Sequence, residues 1–351
     1  MEQENVHTAE RLKELQTLPL ERKVEITKSR IIEWYTHYEG KVYISFSGGK
    51  DSTVLLHLIR SIFPDVESVY VDTGLEYPEI KEFVKSFDNV TVIRPKLSFK
   101  QVLEKYGYPL ITKEVARDVG RVQSNGGINT KTGELTSSYK MLHDMLPEKN
   151  GIRNPYNKSK WEFLVHAPFK ISNQCCYVMK KYPGHKYQKD TGKMPYLGNM
   201  ASESLARKST WLQYGCNAFN NNNPQSTPMA FWTEQDVLQY CLNNKIQLCS
   251  VYGDIVKDEK GRLRTTGCDR TGCVFCGFGA NLEKSPNRFE RLKETHTKLW
   301  DYCMKPIESG GLGMAEVLDY INVPWGRDEE HNYGKNAKDN DKDDTIVNEM
   351  K

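Results

Sequence analysis

The chain has 351 residues, 27% of them charged, and a formal net charge of +3. That length predicts one large or two modest domains, and a charge so near balance decides nothing about nucleic acid, which only a local patch would attract. No run of about 18 apolar residues occurs and the start, MEQENVHTAERLKELQ, is polar and acidic, so neither a membrane span nor a targeting peptide is expected.

A cytoplasmic protein with no membrane association follows as the expectation. In a reducing compartment the nine cysteines are read by spacing rather than as a disulfide framework.

Residues 8–38 carry a helical pattern. Leu20, Val24, Ile31 and Tyr35 fall on one face, with Thr27 as an interruption. Residues 41–46 read as a buried strand and 52–62 as a helix with Leu55, Leu56, Leu58 and Ile59 on its apolar side. A second strand at 66–74, a helix in EYPEIKEFVKSF and a third strand in VTVIRP complete a strand–helix–strand–helix–strand series, which predicts a parallel sheet with right-handed crossovers. The rhythm breaks over 122–160, where QSNGGINTKTGELTSS and PEKNGIRNPYNKSKW are loops by composition. It resumes weakly after 190, and the charge-dense end is expected to be disordered. The expected organisation is a helical segment at 1–38, a nucleotide-binding domain at 39–250 with an inserted basic and aromatic region at 122–190, a cysteine-rich region at 251–326 and a tail at 327–351. The fold class is α/β, a twisted parallel sheet with helices on both faces.

The stretch VYISFSGGKDSTVLLHLIR, 42–60, carries the chemistry. A strand delivers the loop to the carboxyl edge of the sheet, where open α/β folds bind ligands. Gly48 and Gly49 lack side chains, so backbone N–H groups can surround an anion, and the following helix offers its N-terminus to the same anion. Ser47 and Ser52 add hydroxyls and Lys50 a point charge, so a polyphosphate is the expected ligand. Neither Gly49 nor Lys50 is expected in the core. The string lacks the spacing of a Walker A loop.

SFSGGKDS resembles the pyrophosphatase loop of the adenine nucleotide alpha hydrolase superfamily. The resemblance implies a site for ATP or an adenylyl sulfate, with Mg²⁺, formed by Ser45, Ser47, Gly48, Gly49, Lys50, Asp51 and Ser52. YVDTGLEYPEI resembles the segment that these proteins place beside the adenosine, which implicates Asp72, Thr73 and Gly74. GNMASESLAR resembles the segment near the α-phosphate, which implicates Glu203, Ser204 and Arg207. PMAFWTEQDVLQY resembles the Pro-x-x-x-Trp-x-x-x-Asp-Val segment of the phosphoadenosine phosphosulfate reductase and sulfate adenylyltransferase small-subunit families. Lys50, Asp51 and Arg207 are the expected catalytic residues, Asp51 either holding Mg²⁺ or capping the helix.

The cysteines in NQCCYVMKKYP and TTGCDRTGCVFCGFG resemble the [4Fe–4S] ligands of assimilatory adenylyl sulfate reductases, in which a cysteine pair is followed by a basic residue and a proline, as by Lys180 and Pro183 here. Cys175, Cys176, Cys273 and Cys276 are the implied ligands, with Cys268 as a substitute for Cys175, since adjacent residues rarely aim both side chains at one point. Zinc or unmetallated thiols would suit the same spacing. Cys216, Cys241, Cys249 and Cys303 have no partner spacing and read as packing residues. The C-terminal nucleophilic cysteine of the reductases has no counterpart in this tail, nor has the thioredoxin-like extension of the plant enzymes.

Three functions stay open. One is an enzyme that cleaves ATP at the α-phosphate, releases pyrophosphate and adenylylates an acceptor for sulfur transfer. The second is a reductase of (phospho)adenylyl sulfate that borrows an external thiol from a partner protein. The third is a non-catalytic nucleotide-sensing module of a phage or defence system. Between 140 and 189, ten lysines and arginines interleave with Tyr156, Trp161, Phe163, Tyr177, Tyr182 and Tyr187. That mixture fits a nucleic-acid acceptor or a solvated basic loop over the nucleotide. An oligomer is compatible with all three.

Overall fold

The structure is a computed structural model, and it describes residues 7–328. Contact density divides the chain into two compact units, Met1–Lys96 with Met179–Gly272, and Leu97–Val178 with Cys273–Lys351. These boundaries differ from the expected cuts at 38 and 250. The expected insertion at 122–190 is shared between the units.

The ten strands of the described residues are β1 Val42–Ser45, β2 Ser68–Val71, β3 Val90–Ile93, β4 Leu110–Ile111, β5 Met194–Leu197, β6 Asn217–Ala218, β7 Gln225–Ser226, β8 Ile255–Lys257, β9 Leu263–Thr265 and β10 Gly277–Phe278. The first unit, the sheet unit, holds a six-stranded sheet in the order β3-β2-β1-β5-β7-β6. Pairing is parallel except between β6 and β7. Helices lie on both faces, as the sequence pattern predicts. From β1 the chain moves outward through β2 and β3, whereas β5 lies on the other side of β1. The β1/β5 boundary is therefore the topological switch point, the place where such sheets open a crevice at their carboxyl edge.

Residues 8–38 form two helices, Ala9–Thr17 and Leu20–His37, with Pro19 between them. The buried stripe of the second is Lys23, Thr27, Ile31 and Trp34. Leu20, Val24 and Tyr35 only flank the core. Thr27 belongs to the stripe because its hydroxyl is satisfied: it donates to the Pro228 carbonyl (3.3 Å) and accepts from Trp232 Nε1 (2.9 Å). Lys23 is buried because Asp236 (2.7 Å) and the Gln16 carbonyl (2.7 Å) receive its ammonium. A buried cation is tolerated only with such partners. The Pro228–Trp232–Asp236 segment thus fastens the helix Glu234–Asn244 to the N-terminal helices.

The cysteine unit contains the parallel pair β4–β10 and the helices Phe99–Tyr106, Lys113–Asn125, Ser137–Leu142, Arg288–Thr295, Thr297–Met304 and Met314–Tyr320. Its polar anchor is Asp118, which is fully buried and accepts from Arg117 (3.0 Å), Ser138 (3.0 Å) and Lys158. Burial pushes this carboxyl up, but those hydrogen bonds outweigh it and hold its pKa below the usual range. Trp300 donates its indole N–H to the Trp325 carbonyl (2.7 Å). Of the expected tail, Arg327 pairs with Asp319 and Asp328 with Lys293, and residues 329–351 lie outside the described residues. No helix of the described residues is long and apolar enough to cross a membrane.

Candidate functional site

The sequence SFSGGKDS places its loop directly after β1, and the helix begins at Lys50, two residues earlier than the pattern suggests. Gly48 has φ +71°, and a Cβ there would stand 2.9 Å from Val84 and 3.0 Å from Ile80. Glycine is required on both counts. The loop closes on its own hydroxyls: Ser47 N donates to Ser52 Oγ (3.2 Å), Gly49 N to Ser47 Oγ (3.4 Å) and Ser52 Oγ to the Gly49 carbonyl (2.9 Å). Ser45 ends β1.

Two other segments reach the same edge. Asp72, Thr73 and Gly74 follow β2. Asp72 accepts from Gly74 N (3.3 Å) and pairs with Lys81 (2.8 Å) and Arg94 (3.2 Å). Burial works against its charge, but these partners prevail and lower its pKa. Thr73 donates to Glu76 (2.7 Å), whose carboxylate lies 3.8 Å from Lys180. The segment after β5 crosses the loop closely: a Cβ on Gly198 would meet Ser52 N at 3.1 Å and the Asp51 carbonyl at 3.2 Å. Beyond it, Ser204 caps the helix Leu205–Tyr214 and Glu203 pairs with Arg207 and, at 3.5 Å, Arg270. The predicted nucleotide residues are therefore brought together along the carboxyl ends of β1, β2 and β5.

Electrostatics concentrate at the start of the helix Lys50–Arg60. Gly49 is its N-cap, so Asp51 does not cap it. Asp51 Oδ1 is buried and, among the described residues, makes no hydrogen bond. Burial raises its pKa, and Lys50, Arg270 and Arg207 partly oppose that rise. Arg207 is held below its usual value by burial and by Arg270. Lys50 departs from expectation. Its side chain is buried, with the ammonium 2.6 Å from Glu234 Oε1 and donating to the Asp269 carbonyl. Its backbone N–H donates to Tyr252 Oη (3.1 Å), which also bonds Thr271 Oγ1 (2.7 Å). Sequence reasoning missed Glu234, Tyr252, Asp269, Arg270 and Thr271. Glu234 and the 269–271 run lie inside segments singled out for other reasons, whereas nothing in the local pattern marks Tyr252.

Cys175, Cys176, Cys273 and Cys276 all belong to the cysteine unit. The Cys175 and Cys176 sulfurs are 4.0 Å apart. The Cys176 thiol, burial, and then Cys276 and Cys273 push the Cys175 thiol up. Burial and these neighbouring thiols thus penalise a bare thiolate at Cys175, and a donor set of this kind suits a thiophilic centre. Among the described residues, no three His, Cys, Asp or Glu side chains already stand in ligating geometry. Cys268 belongs to the sheet unit, its N–H donating to the Val251 carbonyl (2.8 Å). After the pair the helix runs through a π-turn, Tyr177–Lys181. Pro183 has no N–H for the Met179 carbonyl, which breaks the regular ladder there. Cys241, Cys249 and Cys303 are buried, Cys216 is partly buried, and burial raises the thiols of all four.

The basic and aromatic run divides between the units. Several of its cations are engaged locally: Lys158 by Asp118, Arg153 by Asp144 (2.7 Å), Lys186 by Asp190 and Lys180 by Glu76. Tyr156 and Tyr177 are exposed.

A model of the phosphoadenosine phosphosulfate reductase domain matches residues 41–120 and 130–277. The chain belongs to this family. An uncharacterized protein of Methanocaldococcus jannaschii is 37% identical over 298 residues, 83% of this chain and 54% of its own length. A second from that organism is 34% identical over 76% of this chain and 41% of its own. An adenosine 5'-phosphosulfate reductase of Staphylococcus epidermidis is 26% identical over 60% of this chain and 65% of its own. The chain thus spans about half the length of the curated relatives it matches. Among solved structures, the phosphoadenylyl-sulfate reductase of Candida auris in a phosphate complex is similar with a TM-score of 0.36 and 13% identity, over 73% of this chain and 97% of that one.

Proposed function

We propose that this family member binds an adenine nucleotide at the β1/β5 crevice and acts at its α-phosphate. In this reading ATP is cleaved to pyrophosphate and an adenylylated acceptor that is open to sulfur transfer. The observation that carries it is Asp51: a buried carboxylate oxygen without a hydrogen-bond partner among the described residues, in the first turn of the phosphate-loop helix and under the charges of Lys50, Arg270 and Arg207. A buried acceptor left unpaired is costly, and a hard cation is the partner its chemistry fits.

Asp51 would hold Mg²⁺, which neutralises phosphate charge when bound. The N–H groups of Gly48 and Gly49 would face the β- and γ-phosphates, and Arg207, oriented by Glu203, the α-phosphate. An acceptor oxygen bonds to the α-phosphorus, the bond to the bridging oxygen breaks, pyrophosphate takes the electron pair and the acceptor proton passes to water. Cys175, Cys176, Cys273 and Cys276 would hold a [4Fe–4S] centre, with Zn²⁺ as the alternative; the cluster supplies a site for sulfur or a structural clasp. As the acceptor, nucleic acid has less support than a small molecule or partner protein, because four of the cations that would recruit it already have carboxylate partners.

The names of the relatives favour a second reading, reduction of an adenylyl sulfate by an external thiol. Within this chain Cys303 is no candidate nucleophile, being fully buried with its thiol pushed well up. The test is to supply the purified chain with ATP and, separately, with adenylyl sulfate plus a dithiol. Pyrophosphate release from ATP supports the first reading. Sulfite release from adenylyl sulfate replaces it with the second. ATP binding with neither product leaves a nucleotide-sensing module.

A further inference from the structure

The phosphate loop already has an internal occupant. Residues Asp269–Thr271 run beside it, rooted where Gly267 N donates to the Tyr252 carbonyl (2.8 Å) and Cys268 N to the Val251 carbonyl (2.8 Å). A Cβ on Gly267 would stand 2.3 Å from that Val251 oxygen, so the root is held by backbone approach. From this root the Asp269 carbonyl takes the Lys50 ammonium. Thr271 Oγ1 bonds Tyr252 Oη, and that hydroxyl takes the Lys50 backbone N–H. Both hydroxyls also lie against Gly49, within ordinary contact distance of where a Cβ would be, 3.4 Å (Tyr252) and 3.6 Å (Thr271).

A phosphate bound in the loop needs the same two donors of Lys50, the backbone N–H at the helix start and the ammonium. Carbonyl and hydroxyl oxygens now hold them, together with the Glu234 carboxylate 2.6 Å from the ammonium. We propose that Asp269–Thr271, with Tyr252, is a strap that competes with nucleotide phosphate for the loop and must move aside when nucleotide binds. The inference rests on the nucleotide reading above.

The experiment uses the full chain. ATP affinity is measured by calorimetry for the wild type, Tyr252→Phe and Thr271→Val. Thr271 is only partly buried and Tyr252→Phe removes a single oxygen, so both variants are expected to fold. Removing a competing hydrogen bond should tighten ATP binding by about two- to ten-fold in each. Wild-type binding with unchanged or weaker binding in both variants overturns the strap. Absence of ATP binding in all three proteins overturns the nucleotide reading and the strap with it.

Discussion

The sheet unit and the cysteine unit solve opposite problems. Around β1 the sheet unit gathers backbone donors and charged side chains that are close in sequence or sit at neighbouring strand ends, so its site follows from topology. The cysteine unit gathers four sulfurs from two segments about a hundred residues apart, and its long-range polar anchor is the buried Asp118. The difference teaches that a strand-end site is fixed by the fold, whereas a thiol site depends on whatever pulls its segments together. One should therefore survive single side-chain changes with its structure intact, and the other should respond all at once.

The sharpest separation comes from the cysteines. Purified without oxygen, the wild type should be brown and contain about four irons and four sulfides per chain. Cys273→Ser, Cys276→Ser, Cys175→Ser and Cys176→Ser should each bleach it, while Cys268→Ser should keep the colour, because Cys176, Cys276 and Cys273 are the thiols that act on Cys175. Colourless protein holding zinc would make the site a clasp. Bleaching by Cys268→Ser would put Cys268 in the ligand set in place of Cys175.

The loop should lose ligand without losing fold. Lys50→Met should weaken ATP binding by about 10- to 150-fold, the worth of a charge-assisted hydrogen bond of roughly 1.5–3 kcal/mol. Although Lys50 is buried, its partner Glu234 is half exposed and regains water when the ammonium is removed, so the melting temperature should shift by only a few degrees. A collapse in melting temperature with unchanged affinity would recast Lys50 as a structural residue.

The segment Pro228–Asp236 should behave in the reverse way. Trp232 is fully buried and its indole is bonded to Thr27, so Trp232→Ala should cost about 3–5 kcal/mol. Asp236→Ala strands the buried Lys23 ammonium and should cost about as much, roughly 3–5 kcal/mol. Denaturant midpoints should report both losses, with ATP affinity per folded molecule unchanged.

Much of this was legible in the sequence. Short-range patterns carried β1, the loop and β2, because each is a contiguous string whose period changes where the structure does, whereas the segment after β5 was marked only by its resemblance to the family. What escaped needs partners distant in sequence. Thr27 reads as an interruption until Trp232 and Pro228 are seen to satisfy it. Lys50 reads as a free charge until Glu234, Asp269 and Tyr252 enclose it. The run of cations at 140–189 reads as one patch, yet it is divided between two units and partly neutralised by Asp118, Asp144, Asp190 and Glu76. Neutralisation of this kind has no local signature, since it depends on which carboxylates the fold returns.

The smallest effect should come from pH and should be confined to the cysteine unit's anchor. Asp118 has a folded-state pKa below its unfolded one, because Arg117, Lys158 and Ser138 outweigh the cost of its burial. A depressed carboxylate contributes stability that is fully present above the unfolded pKa of about 4 and is lost as pH falls through the lower, folded value. Wild-type denaturant stability should therefore decline as pH drops below about 4. Asp118→Asn, which keeps the shape but not the charge, should start lower at neutral pH and show a flatter decline over the same acid range. Chemical denaturation of both proteins at stepped pH values measures the difference directly. Parallel curves would mean that Asp118 is held by shape alone, and that the charges of Arg117 and Lys158 do not set the stability of this unit.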